Sequence, residues 1–312
     1  MNIEKYNLQN LKRVVQNPKA MRGVLSYFGT KLNTAYYTLQ GPTGTLVMEE
    51  DWDNLLILDG CRFDMFVEQW EGPGRLESCR SMASESLEFI KQNFIGGDLM
   101  DTIYATANPH AAEIPEGTFF LLFNALEDLW DADLETVRPE ALATELLRLH
   151  NEYPNKRLIG HFMQPHFPFI GDRGRKFNQA GISKGEKDES GSVNVWRKLQ
   201  YGIEDISIQE TWAAYRENLD LVIEVVYDLL DSLGGRTVVT ADHGNLVGDR
   251  QRPVPVRGFG HPGRLYVPEL VTVPWLIVEG EERREWVAES PIEQDKLGVD
   301  IVEDRLSALG YK

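Results

Sequence analysis

Short apolar runs alternate with longer stretches of helical periodicity along this chain, and several of the runs end in an acid and a glycine. Leu55 to Leu58 form a continuous apolar run followed by Asp59 and Gly60. Thr237 to Thr240 form a β-branched run that leads through Ala241 into Asp242, His243 and Gly244. Runs of this kind predict buried strands of a parallel sheet. Further strands are predicted over 101–108, 118–123 and 271–278, and 157–166 reads as a strand running into a loop. Helices are predicted around 63–66, from near Ser84, over 139–153, over 209–233 and over 292–309. In the 209–233 stretch Trp212, Tyr215, Leu219, Val222, Val226, Leu229 and Leu233 line one face. Strands alternating with helices predict an α/β fold, a three-layer αβα sandwich on a mainly parallel central sheet.

The first 45 residues read differently. Leu8, Leu11, Val14 and Val15, then Met21, Val24, Leu25, Phe28 and Leu32, recur at helical spacing, with a break at Asn17-Pro18. Residues 1–40 hold six basic side chains (Lys5, Lys12, Arg13, Lys19, Arg22, Lys31) and one acid, Glu4. The division expected is a basic helical arm over 1–45 and a single catalytic α/β domain over 46–312. The arm could pack on the body, dock a partner or lie on an anionic membrane surface. The stretches 171–206 and 245–264, rich in polar residues, glycine or proline, are expected to be loops that shape a pocket.

Composition narrows the function. The net charge of −17 over 312 residues argues against nucleic-acid binding, which needs a basic footprint. No apolar run is long enough to span a bilayer and no signal peptide opens the chain, so a cytoplasmic location is expected. Two cysteines, Cys61 and Cys79, do not make a disulfide framework.

The candidate chemistry lies at strand ends. In open α/β sheets ligands gather beyond the carboxyl ends of the strands. Asp59, Asp242 and His243 would offer two oxygens and a nitrogen to a divalent metal such as Zn, Mn, Mg or Ca. His161, His166 and His261 lie on a strand or in following loops. Ser84, where small residues give way to Leu87 and Phe89, could cap a helix or hold its hydroxyl where an anion is stabilised.

Together these segments resemble the alkaline phosphatase superfamily, most nearly its sulfatase-like branch. The residues that carry the resemblance are Leu-Ile-Leu-Asp59-Gly, Thr-Ala-Asp242-His243-Gly, His161-Phe-Met-Gln-Pro-His166-Phe-Pro-Phe, and Gly260-His261-Pro262 followed by Val273-Pro274-Trp275. They span about residues 52–280 in matching order.

The resemblance implies that Asp59, Asp242 and His243 bind one metal firmly, with a second metal possible. It implies a metal-bound nucleophile between the first motif and the next strand, for which Ser84 is the first choice and Ser86 the second. His166 and His261 would bind the anionic group, assist the leaving group or hold the second metal. Arg62 and His161 would bind substrate. Neither cysteine, nor Ser84, lies in the Cys/Ser-x-Pro-x-Arg motif that sulfatases convert to formylglycine. A serine nucleophile suits phosphoester chemistry better.

The expected function is metal-dependent hydrolysis of a phosphate or sulfate ester, the substrate being an anionic small molecule or glycan. The alternatives are transfer of a phospho-head group to a glycan or lipid, and non-catalytic binding of an anion or glycan.

Overall fold

The computed structural model describes residues 18–181, 195–202, 206–280, 282–292 and 299–309. In chain order the first elements are α1 (Pro18–Gln40), β1 (Asn54–Leu58), α2 (Phe63–Gln69), β2 (Arg75–Arg80), α3 (Ser86–Asn93), β3 (Leu99–Thr106) and β4 (Phe119–Asn124). Then come α4 (Ala125–Asp128), β5 (Trp130–Asp131), β6 (Thr136–Val137), α5 (Pro139–Glu152), β7 (Arg157–Phe162), α6 (Asp172–Gly181) and α7 (Val195–Tyr201). The last are α8 (Ile208–Ser232), β8 (Arg236–Thr240), β9 (Leu246–Arg250), β10 (Arg257–Gly260), α9 (Pro268–Val271), β11 (Thr272–Glu279) and α10 (Val299–Ala308).

Seven strands form the central sheet in the order β2-β11-β8-β1-β7-β3-β4. From β8 to β4 every neighbour is parallel, whereas β11 runs antiparallel to β8 and β2 antiparallel to β11. β1 is buried at all five positions because both of its faces are covered. Successive side chains of a strand point to opposite faces. So Leu56 and Leu58 join one core and Leu55 and Ile57 the other.

The first core takes Met65 and Phe66 of α2, Leu142 and Leu146 of α5, and Leu219, Val222 and Val226 of α8. The second takes Phe89 and Ile90 of α3 with Trp52 and Phe94. Truncating a fully buried leucine such as Leu56 to alanine costs about 2–5 kcal/mol, so this layering holds the strand ends rigidly. The mixed αβα arrangement with a mostly parallel sheet is the one expected.

Four local expectations change. β2 has no counterpart in the apolar pattern because it is an exposed edge strand that carries Arg75, Glu77 and Arg80. Helices α6 and α7 occupy parts of the stretch expected as loop; residues 182–194 and 203–205 of that stretch lie outside the described residues. The stretch 245–264 contains the antiparallel hairpin β9–β10, whose strands are too short and glycine-rich to show a period. Helix α3 starts at Ser86, with Glu85 in extended backbone at the N-cap position (φ −153°, ψ 158°) in place of Ser84. The closing helix is described over Val299–Ala308. The apolar positions Leu8 to Val15 lie outside the described residues.

Candidate metal centre and active site

The carboxyl ends of β1, β7 and β8 deliver the central side chains. Asp59 follows β1 directly, His161 is the penultimate residue of β7, and Asp242 and His243 follow β8. Parallel pairing with β1 sets their depth: Ile57 is in register with His161 of β7 and Thr240 of β8. Gly60, at φ +69°, turns the chain at the end of β1. Its N–H donates to Asp242 Oδ1 at 2.9 Å. A Cβ at Gly60 would stand 3.6 Å from the His166 ring and 3.7 Å from the His243 ring.

Asp59, Asp242 and His243 each offer a ligand atom within 4.8 Å of the others. His243 Nε2 lies 3.8 Å from Asp59 Oδ1 and 3.5 Å from Asp242 Oδ2. His161 Nε2 faces the same carboxylates, 3.9 Å from Asp59 Oδ2 and 3.7 Å from Asp242 Oδ2. All four side chains are fully buried. The two His243 separations, 3.8 and 3.5 Å, are of the size of ligand–ligand edges around one cation with bonds slightly longer than about 2 Å.

The imidazoles are turned to suit a cation. Nδ1 of His243 donates to the Gly244 carbonyl at 2.7 Å, which leaves the Nε2 lone pair facing the carboxylates. The Tyr104 hydroxyl meets His161 Nδ1 at 2.8 Å, and the other nitrogen of that ring turns inward. Asp242 Oδ2 and His161 Nε2 have no hydrogen-bond partner among the described residues. Burial alone would raise the Asp242 carboxyl, but His243, His161 and the Gly60 N–H outweigh it and hold the group well below the usual carboxylate range. Carboxylates buried together are costly to ionise without a compensating cation. The donor set therefore fits a divalent metal.

The two serines part company. Ser86 Oγ lies 3.2 Å from Asp59 Oδ2 and 3.2 Å from His243 Nε2. Ser84 Oγ faces elsewhere: it donates to the Pro262 carbonyl at 3.0 Å and accepts from Leu265 N–H at 3.1 Å. The structure brings Ser86, the second choice, to the cluster and leaves Ser84, the first choice, in a backbone-linking role.

Arg62 differs from expectation as well. Its guanidinium makes two bonds to Asp64, at 2.9 and 2.6 Å, and others to Asp249 Oδ2 at 2.9 Å and the Asn245 carbonyl at 3.0 Å. It also lies over the Trp212 ring at 5.0 Å. Its planar fork is taken up by these partners and is not turned to a substrate oxyanion. His161, expected at the substrate, instead faces the two carboxylates as a further ligand candidate.

His166 and His261 form a pair beside the cluster, Nε2 to Nε2 at 2.9 Å. The His261 ring stacks on the His243 ring, with centroids 4.5 Å apart. His166 Nδ1 donates to the Phe167 carbonyl, so its Nε2 accepts the proton held on His261 Nε2. Burial first, then the neighbouring His243, lowers the His166 pKa to about 4. Burial likewise pulls His261 well below its ordinary value.

Asn108, just beyond β3, was missed by sequence reasoning. Its Nδ2 donates to Asp59 Oδ2 at 2.6 Å and so aims that carboxylate. An Asn-Pro pair after a strand reads as a turn, and nothing local distinguishes this one.

No family model and no curated protein sequence matches the chain. Solved structures do match. The C-terminal periplasmic domain of EcEptC from Escherichia coli, in complex with Zn, is 14% identical over 78% of this chain and 77% of that one, with a TM-score of 0.47. A 2-O GAG sulfatase is 9% identical over 74% and 65%, with a TM-score of 0.42. A protein in the alkaline phosphatase superfamily from Vibrio parahaemolyticus is 12% identical over 82% and 69%, with a TM-score of 0.36. The superfamily named among these structures is the one that the strand-end motifs resemble. At such identities the likeness is one of fold.

The expected cytoplasmic location is corrected by the same finding, because the matching Escherichia coli domain is periplasmic. Among the described residues no helix is long and apolar enough to cross a membrane. That fact does not assign a compartment.

Proposed function

We propose that the protein is a metal-dependent enzyme of phosphoester chemistry, with Ser86 as its nucleophile. The observation that carries this reading is the position of Ser86 Oγ, 3.2 Å from both a carboxylate oxygen and an imidazole nitrogen of the buried Asp59/Asp242/His243 cluster. Asp59, Asp242 and His243, with His161 as a fourth donor, would hold the metal. When bound, a divalent ion lowers the pKa of a serine hydroxyl and offsets charge on the phosphoryl oxygens.

Asp59 Oδ2, which accepts hydrogen bonds from Asn108 and Ser86, would take the Ser86 hydroxyl proton. The Ser86 oxygen then bonds to phosphorus as the ester P–O bond breaks. The ester oxygen leaves as the alkoxide and takes its proton from water; the neutral His166–His261 pair would only hydrogen-bond to it. The product of this half-reaction is a phosphoseryl enzyme. Water completes hydrolysis; an alcohol acceptor completes transfer. Ser86 is followed by Leu87-Glu88-Phe89, so the formylglycine signature is missing here too, which favours phosphate over sulfate.

Incubating the metal-loaded protein with an aryl phosphate, quenching in acid and mapping peptides by mass spectrometry tests this. Phosphate on Ser86 is expected. Turnover that persists in Ser86→Ala would sink the assignment. The same assay with a labelled donor and added alcohols separates transfer from hydrolysis.

A further inference from the structure

Helix α1 turns its small and polar side chains to the body and its large apolar ones outward. Gly23, Ser26, Gly29 and Asn33 are buried. Ser26 Oγ donates to the Arg257 carbonyl. Asn33 Nδ2 donates to Gln251 Oε1 at 3.1 Å and to the Val254 carbonyl at 2.9 Å, and Asn33 Oδ1 accepts from Val254 N–H at 2.8 Å. The two glycines let the helix seat closely. A Cβ at Gly29 would stand 2.5 Å from the Val256 side chain, and one at Gly23 would stand 2.6 Å from Tyr201.

The opposite side is unlike the surface of an ordinary packed helix. Leu25, Phe28, Leu32, Tyr36 and Leu39 are exposed by 60%, 52%, 62%, 46% and 89%. Their spacings of three and four residues keep them on one stripe. With Tyr27 they are six of the eleven large apolar side chains exposed among the described residues. At about 100° per residue, Arg22 falls on one side of the stripe and Lys31 on the other. Both are exposed. Residues 18–40 contain no Asp or Glu, although the chain has 49.

We propose that this stripe is a docking surface for an anionic lipid membrane, with α1 lying in the plane of the headgroups. Charge decides between occupants. A second copy of the chain would offer the flanking cations no negative charge from its own helix, since residues 18–40 hold no Asp or Glu. An anionic bilayer offers an apolar layer to the leucines and negative charge to the flanking Arg22 and Lys31. Tyr36 has the apolar body and polar tip suited to that depth. The helix rests on the β9–β10 hairpin, which leads from Gly260 into His261, so docking would occur on the element that supplies the candidate site. The inference stands on α1 and not on the chemistry proposed for that site.

Vesicle flotation of the full chain tests it, with phosphatidylcholine vesicles compared with vesicles that also contain phosphatidylglycerol. Wild type is expected to float with the anionic vesicles at low salt and to remain behind with neutral ones. Replacing Arg22 and Lys31 by Gln should weaken binding about fivefold for each charge removed. Replacing Leu25 and Leu32 by Ser should weaken it by at least about tenfold. Unchanged thermal midpoints would show that these exposed positions do not alter the fold. Absence of flotation with anionic vesicles would overturn the proposal, as would flotation indifferent to both double variants. A wild-type dimer in light scattering that the leucine variant converts to monomer would also overturn it, since the occupant would then be a second copy.

Discussion

Ser84 and Ser86 are two residues apart, yet their hydroxyls serve different parts of the molecule. Ser86 Oγ stands 3.2 Å from Asp59 and from His243, whereas Ser84 Oγ ties the Pro262 carbonyl to the Leu265 N–H. Glu85, extended at the helix N-cap, sits between them and starts α3 one step later than the run of small residues implies. Ser86→Ala should lower kcat/KM on an aryl phosphate by about 1000-fold or more. Ser84→Ala should keep turnover within a few-fold and lose about 1–2 kcal/mol of stability in urea unfolding, because a buried N–H loses its acceptor. The reverse pattern would exchange the two roles.

Metal affinity should depend on residues behind the donors as well as on the donors. Asp242→Asn removes a carboxylate from the trio and should abolish stoichiometric metal in elemental analysis after dialysis. Tyr104→Phe and Asn108→Ala leave every donor in place but free His161 and Asp59 from their orienting partners. Each should weaken metal binding by about 10–100-fold in a competition titration with a chromogenic chelator.

Asn218 of α8 holds the loop that carries His166. Its Nδ2 faces the carbonyls of Pro165, His166 and Pro168 at 3.1, 3.0 and 3.2 Å, and its Oδ1 accepts from Ile170 N–H at 2.9 Å. Asn218→Leu should cost about 2–4 kcal/mol, since several buried polar groups lose their partner together. It should also reduce kcat more than it raises KM, as His166 and its partner His261 lose their fixed place. A variant with native stability and full kcat would remove this loop from the proposed chemistry.

Acid should destabilise the fold partly through His150. This residue lies against Arg284, and burial first, then the Arg284 charge, lowers its pKa to about 4. In the unfolded chain it titrates near 6.5. Between those values the unfolded state binds the extra proton, so stability falls as pH drops from about 6.5 towards 4 and this contribution levels off below. Thermal midpoints measured from pH 7 to pH 4.5 should fall less in His150→Gln than in wild type.

Much of this arrangement is legible in the chain itself. A buried strand run followed by an acid and a glycine identifies Asp59 and Asp242 as neighbours at one sheet edge, because parallel strands end together. What was not legible depends on distance along the chain or on a single turn. Arg62 is a plausible oxyanion binder until Asp249, 187 residues away, takes its guanidinium. Tyr104 looks like any aromatic strand residue until His161 arrives beside it from β7. The β9–β10 hairpin escapes notice because its few apolar residues show no period. The choice between Ser84 and Ser86 turned on the start of a helix, the least determined feature of any local pattern.

The pairing of Arg62 with Asp64 and Asp249 has a thermodynamic consequence. With that guanidinium neutralised, and His166 and His261 biased to the uncharged form, none of these three side chains brings positive charge to an incoming phosphate. On the proposed function, anion affinity would then depend on a cation held by the buried carboxylates. Binding of the two becomes reciprocal: whatever factor the metal adds to phosphate affinity, phosphate adds to metal affinity. Free phosphate should therefore slow the loss of metal to a chelator, and the metal-stripped protein should bind phosphate weakly.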